Sequence, residues 1–120
     1  MSADGQRNTD DGAVTFVNRF TVHASPDEFE RTFVDTAEFF GRQPGFLRCT
    51  LVKHVDDEHS YVNIAYWRDM ESFRNALAQP DFAPHAEALR ALSTSDPNLY
   101  TLARSFTADP RAVTAPRRSR

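Results

Sequence analysis

The sequence predicts an α+β fold of the ferredoxin-like type, βαββαβ, in which two helices cover one four-stranded sheet. Three observations carry this reading. A period-two apolar run spans Val14 to His23, an aromatic stripe at helical spacing follows a Ser25-Pro26-Asp27-Glu28 cap, and a charged Asp56-Asp57-Glu58 turn separates two further strand-like runs. At 120 residues the chain makes a single domain, and ten Phe, three Tyr and one Trp supply a core. A chain this short buries only about two-thirds of its unfolded surface, so one sheet with a layer of helices is near the limit. Burying the second sheet face would require another subunit.

In the first strand Val14, Phe16, Asn18, Phe20 and Val22 share one face, and Thr15, Val17, Arg19 and Thr21 the other. Ser25 supplies a hydroxyl cap, Pro26 sits in the first turn, and Glu28 is placed to close a capping box, so a helix starts there. Phe29, Phe33, Ala37 and Phe40 give that helix its stripe, and Gly41 with Pro44-Gly45 ends it. The second strand is expected over Phe46 to His54, with Leu47, Cys49 and Leu51 on one face, and the third over Tyr61 to Trp67 as its hairpin partner. Asp69 can cap a helix that turns Phe73, Ala76 and Leu77 inward; Pro80 interrupts it before a further helix with Phe82, Ala86, Leu89 and Leu92. Pro97 reads as the end of that region, and Leu99 to Phe106 as the fourth strand, because it is rich in strand formers. The third strand is apolar on both faces, which again points to a homodimer.

Residues 1–12 and 109–120 read as disordered tails around a folded domain at 13–108. From Ala13 to Ala108 there are nine basic and thirteen acidic residues, whereas the last stretch carries Arg111, Arg117, Arg118 and Arg120. An acidic body without an Arg/Lys stripe argues against a nucleic-acid partner, whose affinity rests on basic side chains. No apolar run approaches the roughly 20 residues of a membrane span, the N-terminus lacks a signal-like apolar core, and the lone Cys49 has no internal partner. No membrane partner is expected, and the expected location is cytoplasmic.

Phosphate loops, paired-Cys sites, zinc-binding His-Glu motifs and nucleophile elbows are all missing from the sequence. His54 and His59 flank Asp56 and Asp57, but no spacing enforces a coordination shell, so a wet charged turn and no metal is expected. Cys49 reads as a small core residue. Asn63 and Trp67 are two strand steps apart on one face, about 13 Å along the strand. An amide that can hydrogen-bond a phenol and an indole that can stack a ring suit one cavity wall, and equally a satisfied core amide beside a core aromatic.

Pro44-Gly45-Phe46-Leu47 ahead of a strand, Tyr61-Val62-Asn63-Ile64-Ala65-Tyr66-Trp67-Arg68 within the next, and Glu71-Ser72-Phe73 opening a helix resemble the antibiotic biosynthesis monooxygenase family. The similarity spans about Val14 to Phe106. It implies a dimeric α+β barrel of ferredoxin-like subunits. It also implies a cofactor-independent monooxygenase that oxidises an aromatic polyketide-type phenol or anthrone to a quinone with O₂ in secondary metabolism. On this resemblance Asn63 binds the substrate oxygen, and Trp67 packs the polycycle where substrate radical and oxygen recombine. His85 joins them as a catalytic candidate, and Asn18, Phe73 and Phe33 are substrate-binding candidates. The tyrosine that the family carries six positions after the tryptophan is here Phe73.

The haem-degrading branch of the same family resembles the chain at Asn18, within Val17-Asn18-Arg19-Phe20, and at His85, which matches a haem-ligating histidine in spacing. Its haem-ruffling tryptophan corresponds to Ala76. A third reading is a non-redox polyketide cyclase or binding module, in which His85 or His23 moves a proton and Arg90 or Arg104 holds an enolate.

Overall fold

The computed structural model describes residues 12–113. The chain runs β1 (Val14–Val22), α1 (Pro26–Gly41), β2 (Phe46–Lys53), β3 (Ser60–Trp67), α2 (Met70–Leu77), α3 (Phe82–Leu92) and β4 (Ser93–Tyr100), then one helical turn, α4 (Pro110–Val113). The sheet order is β2-β3-β1-β4, with antiparallel neighbours throughout. This is the expected ferredoxin-like α+β fold, with the second helix split in two at Pro80. No helix among the described residues is long and apolar enough to cross a membrane.

Local chemistry sets the helix starts. Ser25 Oγ accepts the Glu28 N–H at 3.1 Å, and Asp69 Oδ1 accepts the Ser72 N–H at 2.8 Å; each satisfies a donor that the first turn leaves free. At its far end α3 passes straight into β4. Ser93 takes extended backbone while its hydroxyl donates to Leu89 O at 2.7 Å.

Three elements depart from the sequence reading. The fourth strand is Ser93–Tyr100, not Leu99 to Phe106, and Pro97 lies inside it. Ser, Asp, Pro and Asn are poor strand formers, so this segment reads as a loop; pairing with β1 makes it a strand, and its edge position tolerates the proline. Leu47 does not share a face with Cys49. A bulge between Phe46 and Arg48 inserts one residue, turning Phe46 toward the helices and leaving Leu47 exposed. In α1 the fully buried residues are Phe29, Phe33, Thr36 and Phe39, while Ala37 and Phe40 are half-buried, so the helix is rolled slightly from its expected face.

Helix-side residues form two apolar clusters. One joins Phe20, Val22, Phe29, Phe33, Tyr61 and Leu89; the other joins Val14, Ala65, Trp67, Phe73 and Ala76. Ring packing is dense in both, with centroids 4.9 Å apart for Phe29 and Tyr61 and 5.1 Å for Phe46 and Trp67. Cys49 packs against both clusters, and burial pushes its thiol pKa up, which fits a core residue. Most of residues 1–12 and the end of 109–120 lie outside the described residues. Within the latter segment, Asp109 accepts the Arg111 N–H at 3.0 Å ahead of the α4 turn.

Two contacts yield stability predictions. Gly45 has φ 87°, and its carbonyl accepts the Arg68 N–H at 2.8 Å. A Cβ there would overlap the Ser72 side chain. Gly45→Ala is expected to destabilise the fold by at least about 1–2 kcal/mol; a urea midpoint equal to wild type would mean that the turn rearranges freely. The Tyr61 hydroxyl donates to Glu30 Oε2 at 2.6 Å, and Lys53 Nζ lies 3.4 Å from the same oxygen. The Tyr61 bond, ahead of Lys53, holds the Glu30 carboxyl below its ordinary value of 4.5. Because the folded pKa is the lower one, this stabilisation is complete above pH 4.5 and disappears as pH falls through the folded value. Glu30→Gln should flatten the acid limb of the urea midpoint plotted against pH, and an unaltered limb would show the contact to be inert.

Candidate active site

Between the two clusters the helix layer does not close on the sheet. A cavity of about 250 Å³ remains there, lined by Phe16, Asn18, Phe20 and Asn63 from the sheet, Phe33, Thr36 and Phe40 from α1, and residues of α2, α3 and β4 that include Arg90. Strand register sets its polar wall. Asn18 of β1 stands directly opposite Asn63 of β3, with Leu51 of β2 beyond Asn63 and Pro97 of β4 beyond Asn18. Directly opposed residues on one sheet face are about 4.5–5.5 Å apart, so the two amides form a single polar spot in an aromatic surround.

The asparagines are held differently. Asn18 Oδ1 accepts the Asp96 N–H at 3.1 Å, which ties it to β4 and leaves its NH₂ as the part able to serve a ligand. Asn63 is 4% exposed, and its Oδ1 is buried without a hydrogen-bond partner. On the helix side Thr36, 3% exposed, has an equally unpartnered Oγ1. Buried side-chain oxygens are normally paired, so two orphans on residues that line one cavity set Thr36 and Asn63 apart.

Of the sequence-derived candidates, Asn18, Asn63 and Phe33 line the cavity. Trp67 and Phe73 stand behind the lining. The Trp67 ring meets Phe40 edge-on at 5.6 Å, and Phe73 lies 5.1 Å from Phe16, so both fix the position of rings that do line it. His85 rests on Phe39 at 5.3 Å and is not among the lining residues, so it does not offer an imidazole to a group bound there. Ala76 is buried in the cluster with Trp67 and Phe73. These positions do not fit a haem held by His85. Sequence reading did not single out Thr36; the available signal was a polar residue at a stripe position of a helix otherwise lined by Phe.

The lining contains no carboxylate, imidazole or thiol, and its one ionisable group is the exposed Arg90. At the hairpin, His54 Nδ1 accepts the Asp56 N–H at 2.9 Å and Asp57 Oδ1 the His59 N–H at 3.0 Å. Among the described residues no three His, Cys, Asp or Glu side chains gather as a metal site requires. A second, polar groove beside α2 has its groups committed locally: Gln43 donates to Phe39 O, Gln79 to Asn75 O, and Arg68 to Ser72 and Asp69.

Fold and cavity together define a small α+β protein with an aromatic-lined cavity that carries a pair of amides on its sheet wall. Comparison with known proteins narrows this class. The sequence profile of the antibiotic biosynthesis monooxygenases matches residues 13–88, and the chain belongs to that family. It is 65% identical over 88 residues to deoxynogalonate monooxygenase of Streptomyces nogalater, covering 73% of this chain and 75% of that protein. The crystal structure of SnoaB, described as a cofactor-independent oxygenase from Streptomyces nogalater, superposes with a TM-score of 0.79 at 59% identity, over 81% of this chain and 99% of that one. A family member from Deinococcus radiodurans shares the fold at a TM-score of 0.71 and 15% identity, over 80% of this chain and 98% of that one. The chain is a monooxygenase of this family.

Proposed function

We propose that this monooxygenase oxidises a fused-ring phenol or anthrone to the corresponding quinone with O₂ and no cofactor, in antibiotic biosynthesis. The observation that carries the reading is Asn63, a buried amide whose oxygen has no hydrogen-bond partner, on the wall of an aromatic cavity lined, among the described residues, by no carboxylate, imidazole or thiol. An oxygenase whose substrate supplies the electrons needs only to bind an electron-rich phenol, favour its anion and keep bulk water out. The names of the Streptomyces nogalater matches, a monooxygenase and a cofactor-independent oxygenase, support oxygen chemistry without a cofactor.

In this mechanism the enolised substrate loses its hydroxyl proton to solvent, and the NH₂ groups of Asn63 and Asn18 donate to the oxygen as it becomes anionic. Phe33 packs the ring system; Trp67 and Phe73 act through Phe40 and Phe16, and His85 takes no part. The phenolate passes one electron to O₂, and the resulting carbon radical and superoxide combine to form the C–O bond. Proton uptake gives a hydroperoxide. Its O–O bond then breaks, the remaining C–H electron pair becomes the carbonyl π bond, and water leaves. One anthrone and one O₂ thus give one anthraquinone and one water; the methylene carbon loses four electrons and O₂ gains four.

We also infer a homodimer. Val17, Val62, Ile64 and Tyr66 lie half-buried on the sheet face away from the helices, and Tyr100 is exposed on the same face of the edge strand β4. That much contiguous apolar surface calls for a cover. The free thiol of Cys49 suits the reducing cytoplasm, where we place the reaction.

Purified metal-free protein should consume one O₂ per anthraquinone formed from an anthrone. Asn63→Ala should lower turnover about a hundredfold while the far-ultraviolet spectrum stays native. Parental activity in that variant would make Asn63 structural and remove the reading's main support. Sedimentation should give twice the chain mass at micromolar concentration; a stable monomer there would contradict the dimer.

A further inference from the structure

We propose that Thr36 is a substrate-positioning residue, the helix-side counterpart of Asn63, whose hydroxyl selects a substrate oxygen on the ring edge that meets α1. This rests on the oxygenase reading and goes beyond it by naming a second recognition point and the substrate feature it selects.

The sequence of α1 sets Thr36 apart. Phe29, Phe33, Thr36 and Phe40 recur at spacings of four, three and four, which places Thr36 in a slot where a helix packed on a sheet carries an apolar side chain. Valine has nearly the same shape and no hydroxyl to desolvate. A threonine within a helix ordinarily settles its hydroxyl on the carbonyl one turn back. Here it does not: Oγ1 is buried and has no partner. Thr36 Oγ1 and Asn63 Oδ1 are the two buried side-chain polar atoms without a partner among the described residues, and both residues line the same cavity from opposite layers of the fold. Two unrelated packing accidents would not be expected to converge on one 250 Å³ space.

Atom types then define the ligand. Asn63 presents its NH₂, a donor, so it serves a phenolate or carbonyl oxygen. The threonine hydroxyl both donates and accepts, so it serves a carbonyl or a second phenol on the facing edge of the ring system. The cavity volume falls below the roughly 300 Å³ at which pockets for drug-sized ligands begin, which favours a planar ring system over one with a bulky side chain inside. Arg90, exposed among the lining residues, leaves room for a charged substituent to extend outward.

The test compares wild type, Thr36→Val and Thr36→Ser with two substrates, a dihydroxyanthrone and the anthrone lacking both hydroxyls. Oxygen uptake is read for turnover, and fluorescence titration with the dihydroxyanthraquinone product is read for binding. In Thr36→Val the KM for the dihydroxyanthrone and the Kd for its product should each rise about tenfold, the loss of one hydrogen bond. The KM effect should exceed the kcat effect, and the unsubstituted anthrone should be affected little. Thr36→Ser should restore most of the affinity. Thr36→Val should also raise Tm, because it deletes an unpaired buried hydroxyl; a structural threonine would lower Tm and leave KM alone. If wild type takes up no oxygen but binds the quinone in a Thr36-dependent way, the oxygenase reading fails and the Thr36 assignment stands. If turnover proceeds and both substrates behave alike in wild type and Thr36→Val, Thr36 positions nothing and the proposal is overturned. Absence of quinone binding and turnover in wild type overturns both.

Discussion

The pairing of β1 with β3 is the constraint on which the rest of the molecule depends. Its register sets Phe20 against Tyr61, Asn18 against Asn63 and Val14 against Trp67, so aromatic clusters form at the two ends of the shared helix-facing surface and the two amides meet between them. A slip of one residue would turn every one of these side chains to the other face. The register is therefore held by the burial of Phe20, Tyr61 and Trp67, and the polar pair is carried along with it. Asn63 can remain unpaired because the cores on either side of it, not the amide itself, hold the strands in place.

Around that pair the protein separates holding from binding. Trp67 and Phe73 are nearly fully buried and support the cavity from behind through Phe40 and Phe16, so these lining rings are backed by the core. Asn18 gives its carbonyl to the backbone of β4 and keeps its amide hydrogens available. The site is built without a titratable group at its centre. Its chemistry then rests on a low-dielectric surround and fixed dipoles, which suits a reaction whose electrons come from the substrate. The contact of Glu30 with Tyr61 and Lys53 lies at the Phe20 end of the sheet, where it ties α1 to the two strands of the hairpin.

Most of the element order was legible from periodicity and caps. β1, α1 and β3 announce themselves by alternation, by Ser25-Pro26 and by the hairpin turn, each a local signal. β4 was not legible. Its residues have little strand propensity, and only the exposed edge of β1 makes Ser93–Tyr100 a strand, shifting the expected boundary and drawing Pro97 into the sheet opposite Asn18. The bulge at Leu47 was hidden for a related reason: alternation counted along β2 cannot reveal an extra residue that only the partner strand defines. Among site residues, Asn63 and Asn18 could be picked as polar breaks in apolar strand faces, whereas Thr36 was masked because a small roll of α1 exchanged it for Ala37 on the buried side.

The sequence by itself determined the fold class, the family, the two asparagines and the aromatic supply, because each is written in local spacing and residue type. Only the tertiary structure decided what those residues do together. It set Asn18 and Asn63 face to face, moved Trp67 and Phe73 behind the cavity wall, turned His85 onto Phe39 and left Thr36 unpaired across from the amides. The physical reason is that a cavity is a failure of two layers to close. Its lining is fixed by the strand register and the helix roll jointly, and neither can be read from one segment alone.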